Sequence, residues 1–447
     1  MTQSELAIHF FLQLAIILAV CRVVGLLARR IGQPQVVGEM IAGVLLGPSL
    51  FGLLAPHWQQ ELFPKGPAMT ILYAASQVGL VLYMFLIGLD FDTNLIRHRV
   101  PSAISISVAG VTMPLVLGSL VALLLIKDEG RFFAGGVKTW QAMLFMGAAI
   151  AITAFPMLAR IIFERRLSGT SLGTLALAAG ATDDAISWCL FAVVMAVFKH
   201  DPMIAVLAIG GGLVYVLTVL TVGRRLLHRF IGDRAERQGG VSSPMFAVIL
   251  MLLMCAAWFT DFVGIYAIFG AFVLGVAMPR GVVATEVRRS LEPLVTNFLL
   301  PLFFVFSGLN TQIGLVNSVG LLAIGLLILA ASVLGKGVAC YFAARLNKEP
   351  QREALAIGSL MNARGLMELI LLNLGLQAGL ITPTLFTLLV MMAIITTLMA
   401  TPLFQQFYGR FRKLPKVTSV NAGAAPNVVV NGNVPADLAP ATRGAER

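Results

Sequence analysis

Gly180-Ala-Thr-Asp-Asp-Ala-Ile-Ser-Trp188 puts two adjacent carboxylates, Asp183 and Asp184, between the apolar runs Leu172 to Gly180 and Ile186 to Val197. Without those acids the segment reads as a membrane-spanning helix, for which about 20 largely apolar residues suffice. A carboxylate at the centre of such a helix costs about 2.5 to 3.5 kcal/mol on insertion scales, so each one needs a partner or a water-filled cavity. The rest of the chain decides which it has.

Of the 447 residues, 58% are hydrophobic and 12% charged, where a soluble domain carries roughly 25% charged residues. The composition reads as an all-α polytopic membrane protein. Thirteen candidate spans are centred near 17, 45, 80, 113, 150, 185, 212, 252, 270, 304, 332, 364 and 392, those near 252 and 270 being short and separated only by Thr260 and Asp261. The N-terminus Met1-Thr-Gln-Ser-Glu5 lacks the basic start of a cleaved signal, so the first span is expected to be retained. Cys21, Cys189, Cys255 and Cys340 all fall in candidate spans and read as small apolar side chains, with no disulfide framework and no bound cofactor or metal centre.

A net charge of +11 raises nucleic acid as a partner, but the placement of the charges argues for topology instead. Odd-numbered loops hold the clusters Arg29-Arg30, Arg97 and Arg99, Arg160, Arg165 and Arg166, Arg224 through Arg237, Arg280, Arg288 and Arg289, and Arg345, Lys348 and Arg352. Even-numbered loops hold Lys65, Lys127, Arg131, Lys138 and Lys199. By the positive-inside rule the odd loops and the C-terminus, with Arg410, Arg412, Lys413 and Lys416, are cytoplasmic and the N-terminus is outside. The expected organisation is a transmembrane domain over 1–413. From about Leu414 to Arg447 the chain reads as a disordered cytoplasmic tail, too short for a nucleotide-binding regulatory domain.

Five ionisable residues remain deep in candidate spans: Asp183, Asp184, Lys336, Arg364 and Glu368. Arg22 and Glu39 lie near span ends and are expected to snorkel. Arg364 and Glu368 are four residues apart and so share a helix face, which suits a structural ion pair. The two aspartates do not fit that reading. Adjacent helical residues point about 100° apart, so they cannot share one partner, and a single Lys neutralises one of them. Burial makes the surplus carboxylate choose between a proton and another cation, which is the kernel of exchange. Ser187, three residues after Asp184, shares its face and can supply an oxygen ligand to a hard cation such as Na⁺ or K⁺.

The chain also repeats itself. Ala42 to Gly47, Ala-Gly-Val-Leu-Leu-Gly, is echoed by Gly270 to Gly275, and Met84 to Leu89 by Phe304 to Leu309. The matches pair span two with nine and three with ten. A shift of seven spans inverts the halves, so spans one to six and eight to thirteen read as inverted repeats with span seven connecting them. The same shift pairs Ile152-Thr-Ala-Phe-Pro156 in span five with Asn362-Ala-Arg-Gly365 in span twelve, preceded by Gly147 and Gly358 at equal spacing. Paired interruptions at mid-depth point to a transport site, because half-helix ends and freed carbonyls can face an ion.

Gln33 to Ser49, Ala151 to Arg160, the Asp183-Asp184 pair, Leu334-Gly-Lys-Gly337 and Met361 to Glu368 together resemble the monovalent cation:proton antiporter-2 family, most closely its cation/H⁺ exchanger branch, over residues 6–410. The resemblance implies thirteen spans with crossed broken helices, a homodimer in the plasma membrane, and elevator-like alternating access. Residue by residue it implies that Asp184 is the carboxylate that takes cation and proton. It makes Asp183 the acid that pairs with Lys336, and Thr153 the polar residue at the span-five break and a cation ligand. A double Asp goes with electrogenic exchange in that family. Gly180 departs from relatives that carry Ser or Glu four residues before the ion-binding Asp. The alternative reading is a sodium-coupled solute symporter on a related crossed-helix fold. An intramembrane aspartyl protease needs its two aspartates on different spans, so an enzyme is not expected, and a channel would conduct without coupling.

Overall fold

The computed structural model describes residues 3–33, 35–64, 66–91, 99–128, 130–165, 167, 170–199, 201–309, 318–364 and 366–408. The expected tail, Arg97, Arg166, Lys65 and Gly365 lie outside these residues.

Prolines mark where many of the helices begin. Pro67, Pro101, Pro156, Pro202, Pro244 and Pro383 each occupy one of the first two positions of a helix, where a missing N–H costs nothing and the fixed φ already suits the helix. The helices are α1 (Gln3–Arg30), α2 (Gln35–Leu46), α3 (Pro67–Asp90), α4 (Val100–Leu125), α5 (Thr139–Ala151), α6 (Phe155–Glu164), α7 (Ser171–Lys199) and α8 (Pro202–Gln238). They continue with α9 (Ser243–Phe262), α10 (Ala267–Ala277), α11 (Val282–Leu294), α12 (Leu300–Leu309), α13 (Val319–Leu346), α14 (Gln351–Leu360), α15 (Leu366–Gln377) and α16 (Pro383–Phe407). Two short helices, Phe51–Leu54 and Pro56–Leu62, follow α2.

Among the described residues ten helical stretches are long and apolar enough to cross a membrane, two of them, Val37–Leu54 and Val282–Phe306, each running over two of these elements, and the chain is a multi-pass membrane protein. The candidate centres near 150, 270 and 364 fall instead on shorter elements: the pair α5/α6, the 11-residue α10, and the pair α14/α15. Thr260 and Asp261, read as a separator, lie inside α9, and the chain turns after Phe262. Several arginines assigned to loops ride on helices. Arg224, Arg225, Arg229, Arg234 and Arg237 extend along α8, which continues through two π-helical turns. Arg160 sits on α6 and is buried. Glu39, expected to snorkel, is fully buried on α2. It lies near a span end in sequence, but α1, α3 and α6 surround it in space.

The packing falls into two sets. Helix α3 packs on α10, and α2 on α12. Helix α4 packs on α5, α7 and α13, and α13 also packs on α14 and α16. Two close crossings in the second set are between glycines: a Cβ added to Gly118 would lie 2.8 Å from Gly147 Cα on α5, and one added to Gly358 of α14 would lie 2.5 Å from the Gly337 carbonyl on α13. The glycines that precede the two interruptions at equal spacing thus let α5 and α14 press against α4 and α13.

Candidate functional site

Two helix interruptions meet at the centre of the second set. Between α5 and α6 the backbone of Ile152, Thr153 and Ala154 leaves the helix, and Pro156 has no N–H to return to the Ile152 carbonyl. Between α14 and α15 it leaves the helix at Ala363 and Arg364. The Ala154 N–H donates to the Ala363 carbonyl across the gap at 3.3 Å.

A helix end buried in the membrane must find partners for its last carbonyls, and two cations supply them for α5. The Arg364 guanidinium donates to the carbonyls of Ala149 (3.2 Å), Ile152 (3.4 Å) and Ile150. Lys336 Nζ donates to the carbonyl of Ala151. Positive charge at a helix C-terminus also offsets the helix dipole. On the other interruption, the Thr397 hydroxyl of α16 accepts from the Arg364 N–H at 2.9 Å and lies 2.8 Å from the Arg364 carbonyl. The Arg364–Glu368 pair exists at 3.5 Å with both side chains buried, but the closer partners of the guanidinium are the carbonyls of α5, which the spacing of four does not reveal.

Lys336 lies in a π-helical turn, Leu334–Val338, within α13, a distortion frequent at functional sites. It forms a buried ion pair with Asp183 at 3.1 Å. The Thr153 hydroxyl donates to the same oxygen, Asp183 Oδ2. Three of the residues singled out in the sequence, Thr153, Asp183 and Lys336, are therefore one hydrogen-bonded group drawn from three elements. Asp184, next in the chain, faces elsewhere. It is buried, makes no ion pair among the described residues, and takes a hydrogen bond from the Trp188 side chain one turn along α7. Asp183 Oδ1, Asp184 Oδ1, Ser187 Oγ and Asn362 Oδ1 are buried without a hydrogen-bond partner among the described residues. Buried polar atoms are rarely left so, and carboxylate, hydroxyl and amide oxygens are the donor set that suits a hard cation.

Trp188 and Asn362 were not singled out in the sequence as site residues. The indole of Trp188 stacks on Tyr266 at the start of α10, with ring centroids 4.7 Å apart, and Tyr266 donates to Gln77 Oε1 of α3 at 2.7 Å. A tryptophan one turn beyond an aspartate was a local signal, but its partner 78 positions away was not. Gly180, the departure from the resembled pattern, faces α6: an added Cβ would lie 2.5 Å from Leu158 Cδ2, so α7 has no space there for a serine or glutamate without displacing its neighbour.

The chain matches the family described as sodium/hydrogen exchanger, transmembrane, over residues 15–407. It is 38% identical over 395 residues to the Na(+)/H(+) antiporter NhaS4 of Synechocystis, covering 88% of this chain and 95% of that one. It is 34% identical to cation/H(+) antiporter 17 of Arabidopsis thaliana and 30% identical to K(+)/H(+) antiporter 1 of Saccharomyces cerevisiae, over 92% and 89% of its length. It spans about half the length of those two, 50% and 46%. The fold is similar to that of the sodium proton antiporter MjNhaP1 from Methanocaldococcus jannaschii, with a TM-score of 0.60, 14% identity, and coverage of 90% of this chain and 97% of that one. A family match over most of the chain, joined to a buried acid pair held between two interrupted helices, makes this protein a member of the sodium/hydrogen exchanger transmembrane family.

Proposed function

We propose that the protein is a secondary active antiporter that exchanges a monovalent cation, Na⁺ or K⁺, for protons across the membrane. The observation that carries this reading is the division of labour within the acid pair. Lys336 and Thr153 both serve Asp183, which leaves Asp184 buried with no cation of its own among the described residues. A desolvated carboxylate in that position binds either a proton or a cation, and cannot hold both. The relatives named for Na⁺/H⁺ and K⁺/H⁺ exchange support the same activity.

In this reading Asp184 takes a proton on one side of the membrane and exchanges it for a cation on the other, with Ser187 Oγ, Asp183 Oδ1 and Thr153 as further oxygen ligands. Lys336 neutralises Asp183 throughout the empty state. Each half-cycle needs the site to open to one side at a time. The packing supports a moving body of α4 to α7 and α13 to α16 working against α1 to α3 and α9 to α12, an elevator-like motion. The equivalent pairings α3–α10 and α2–α12 fit inverted repeats of six spans joined by α8, thirteen spans in all, with the two interruptions crossing at their centre. The double Asp goes with electrogenic exchange in the cation:proton antiporter-2 family that the sequence resembles, so exchange here is taken to be electrogenic. We place the protein in the plasma membrane as a homodimer, N-terminus outside and C-terminus cytoplasmic.

The test is reconstitution in liposomes with an imposed inward-acid pH gradient. Addition of Na⁺ or K⁺ should discharge the gradient with the wild type and fail to do so with Asp184→Asn. If neither ion discharges it, exchange is the wrong reading, and uptake of an organic anion driven by Na⁺ becomes the measurement to make. If Asp184→Asn exchanges like the wild type, the assignment of the carboxylate is wrong.

A further inference from the structure

A second pair of acids balanced by one base lies outside the aspartate site. Glu39 on α2 is fully buried, and its Oε2 has no hydrogen-bond partner among the described residues. Its other oxygen, Oε1, accepts from Gln35 Nε2 at 2.8 Å. The charged and titratable groups facing it are Arg160 and Glu164 from α6, Arg29 and Cys21 from α1, and Tyr83 from α3, while α12, which also packs on α2, carries no titratable residue. Arg160 is committed to Glu164, with Nε 2.8 Å from Oε1, and the Gln35 N–H holds the other Glu164 oxygen at 2.6 Å. Among the described residues the guanidinium therefore has one close carboxylate partner, and Glu39 is the surplus acid. The Tyr83 hydroxyl, buried beside the same arginine, has no hydrogen-bond partner among the described residues either. Arg29, exposed at the end of α1, donates to Gln35 Oε1, so a chain of two hydrogen bonds joins the surface to Glu39.

We propose that Glu39 is a second proton-binding site of this transporter, set at the seam where half-helix α6 meets α2 and α3 and separate from the aspartate pair. Its use in transport rests on the exchange reading above, but the binding of the proton does not. Arg160 lies five residues beyond the start of α6, about 8 Å along the axis from the interruption that carries Thr153. Ionised, Glu39 adds a negative charge opposite the guanidinium of α6 and holds that half-helix against α2. Protonated, it leaves Arg160 balanced by Glu164 alone and releases the seam. The exchanger should thus slow as pH rises and Glu39 ionises, and Glu39→Gln, a permanent stand-in for the protonated form, should stay active at higher pH.

Two measurements test this. In the purified Asp184→Asn protein, infrared difference spectra between acid and alkaline pH should contain the carbonyl band of protonated carboxylic acids, and adding Glu39→Gln should remove one component of it while the other carboxyl groups keep theirs. In liposomes, the alkaline limb of the exchange profile should move up by about one pH unit or more in Glu39→Gln, since such limbs report the ionisation of single groups, and Glu39→Asp should restore a limb. Should Glu39→Gln not fold, Glu39→Asp must shift the infrared band. A band that persists unchanged in the variants, or a Glu39→Gln profile that superimposes on the wild type, overturns the proposal. A wild type that exchanges nothing would sink the antiporter reading while leaving the infrared result to judge Glu39.

Discussion

Lys336 holds Asp183 with one of its hydrogens and the Ala151 carbonyl with another. Removing one partner of a buried pair leaves an uncompensated charge and costs about 3 to 5 kcal/mol, whereas removing both is often near neutral. Lys336→Met should therefore lower the thermal unfolding midpoint of the detergent-solubilised protein strongly, and the double variant Lys336→Met/Asp183→Asn should recover most of the loss. If the two losses add, the pair is not coupled as the geometry has it. At this scale the sequence was most legible. A charged side chain inside an apolar run stands out on its own, and Thr153, Asp183, Asp184, Lys336, Arg364 and Glu368 were all found in that way or by resemblance. That Arg364 and Lys336 also serve the end of α5 was not legible, because the partners at Ala149, Ile150 and Ala151 are backbone carbonyls that no side-chain pattern distinguishes.

At the scale of elements, α7 carries the acids and also ties them to α10. Tyr266 has φ of 94°, a conformation that costs a non-glycine residue of order 1 to 3 kcal/mol and persists when the surroundings hold it. Here the Trp188 stack and the Gln77 hydrogen bond hold it. Trp188→Phe keeps an aromatic ring on Tyr266 but removes the donor to Asp184. A hydrogen bond to a charged group contributes about 1.5 to 3 kcal/mol, so its loss favours protonated Asp184. At fixed pH the half-saturating cation concentration for exchange should rise about tenfold or more, with a much smaller change in the unfolding midpoint. An unchanged concentration dependence would mean that Trp188 only packs. The helix interruptions were legible from Pro156 and from the paired spacing of Gly147 and Gly358. Their contact through Ala154 and Ala363 was not, since it joins positions more than 200 residues apart.

For the whole molecule, the proposed elevator requires α6 to slide past α2. The Gln35 N–H and a Glu164 oxygen are 2.6 Å apart across that seam. In a background with the four native cysteines replaced, Gln35→Cys/Glu164→Cys should exchange when reduced and stop when a disulfide forms, with recovery on reduction. Full activity with the disulfide in place would exclude relative movement of these two helices. Large apolar side chains exposed on α1, α4, α8 and α9, among them Phe11, Val116, Leu213 and Trp258, form the surface such a molecule presents to lipid.

Composition and the spacing of apolar runs determined on their own that this is a helical membrane protein, because a bilayer demands long apolar segments whatever the neighbours are. The cost of charge in hydrocarbon likewise marked the aspartate pair. Tertiary structure alone decided the fate of Glu39 and Arg160. Both read as residues near a membrane surface, and both are buried because α1, α2, α3 and α6 close around them. Burial and pairing depend on contacts between distant segments, and a one-dimensional pattern specifies the faces that meet without specifying their partners.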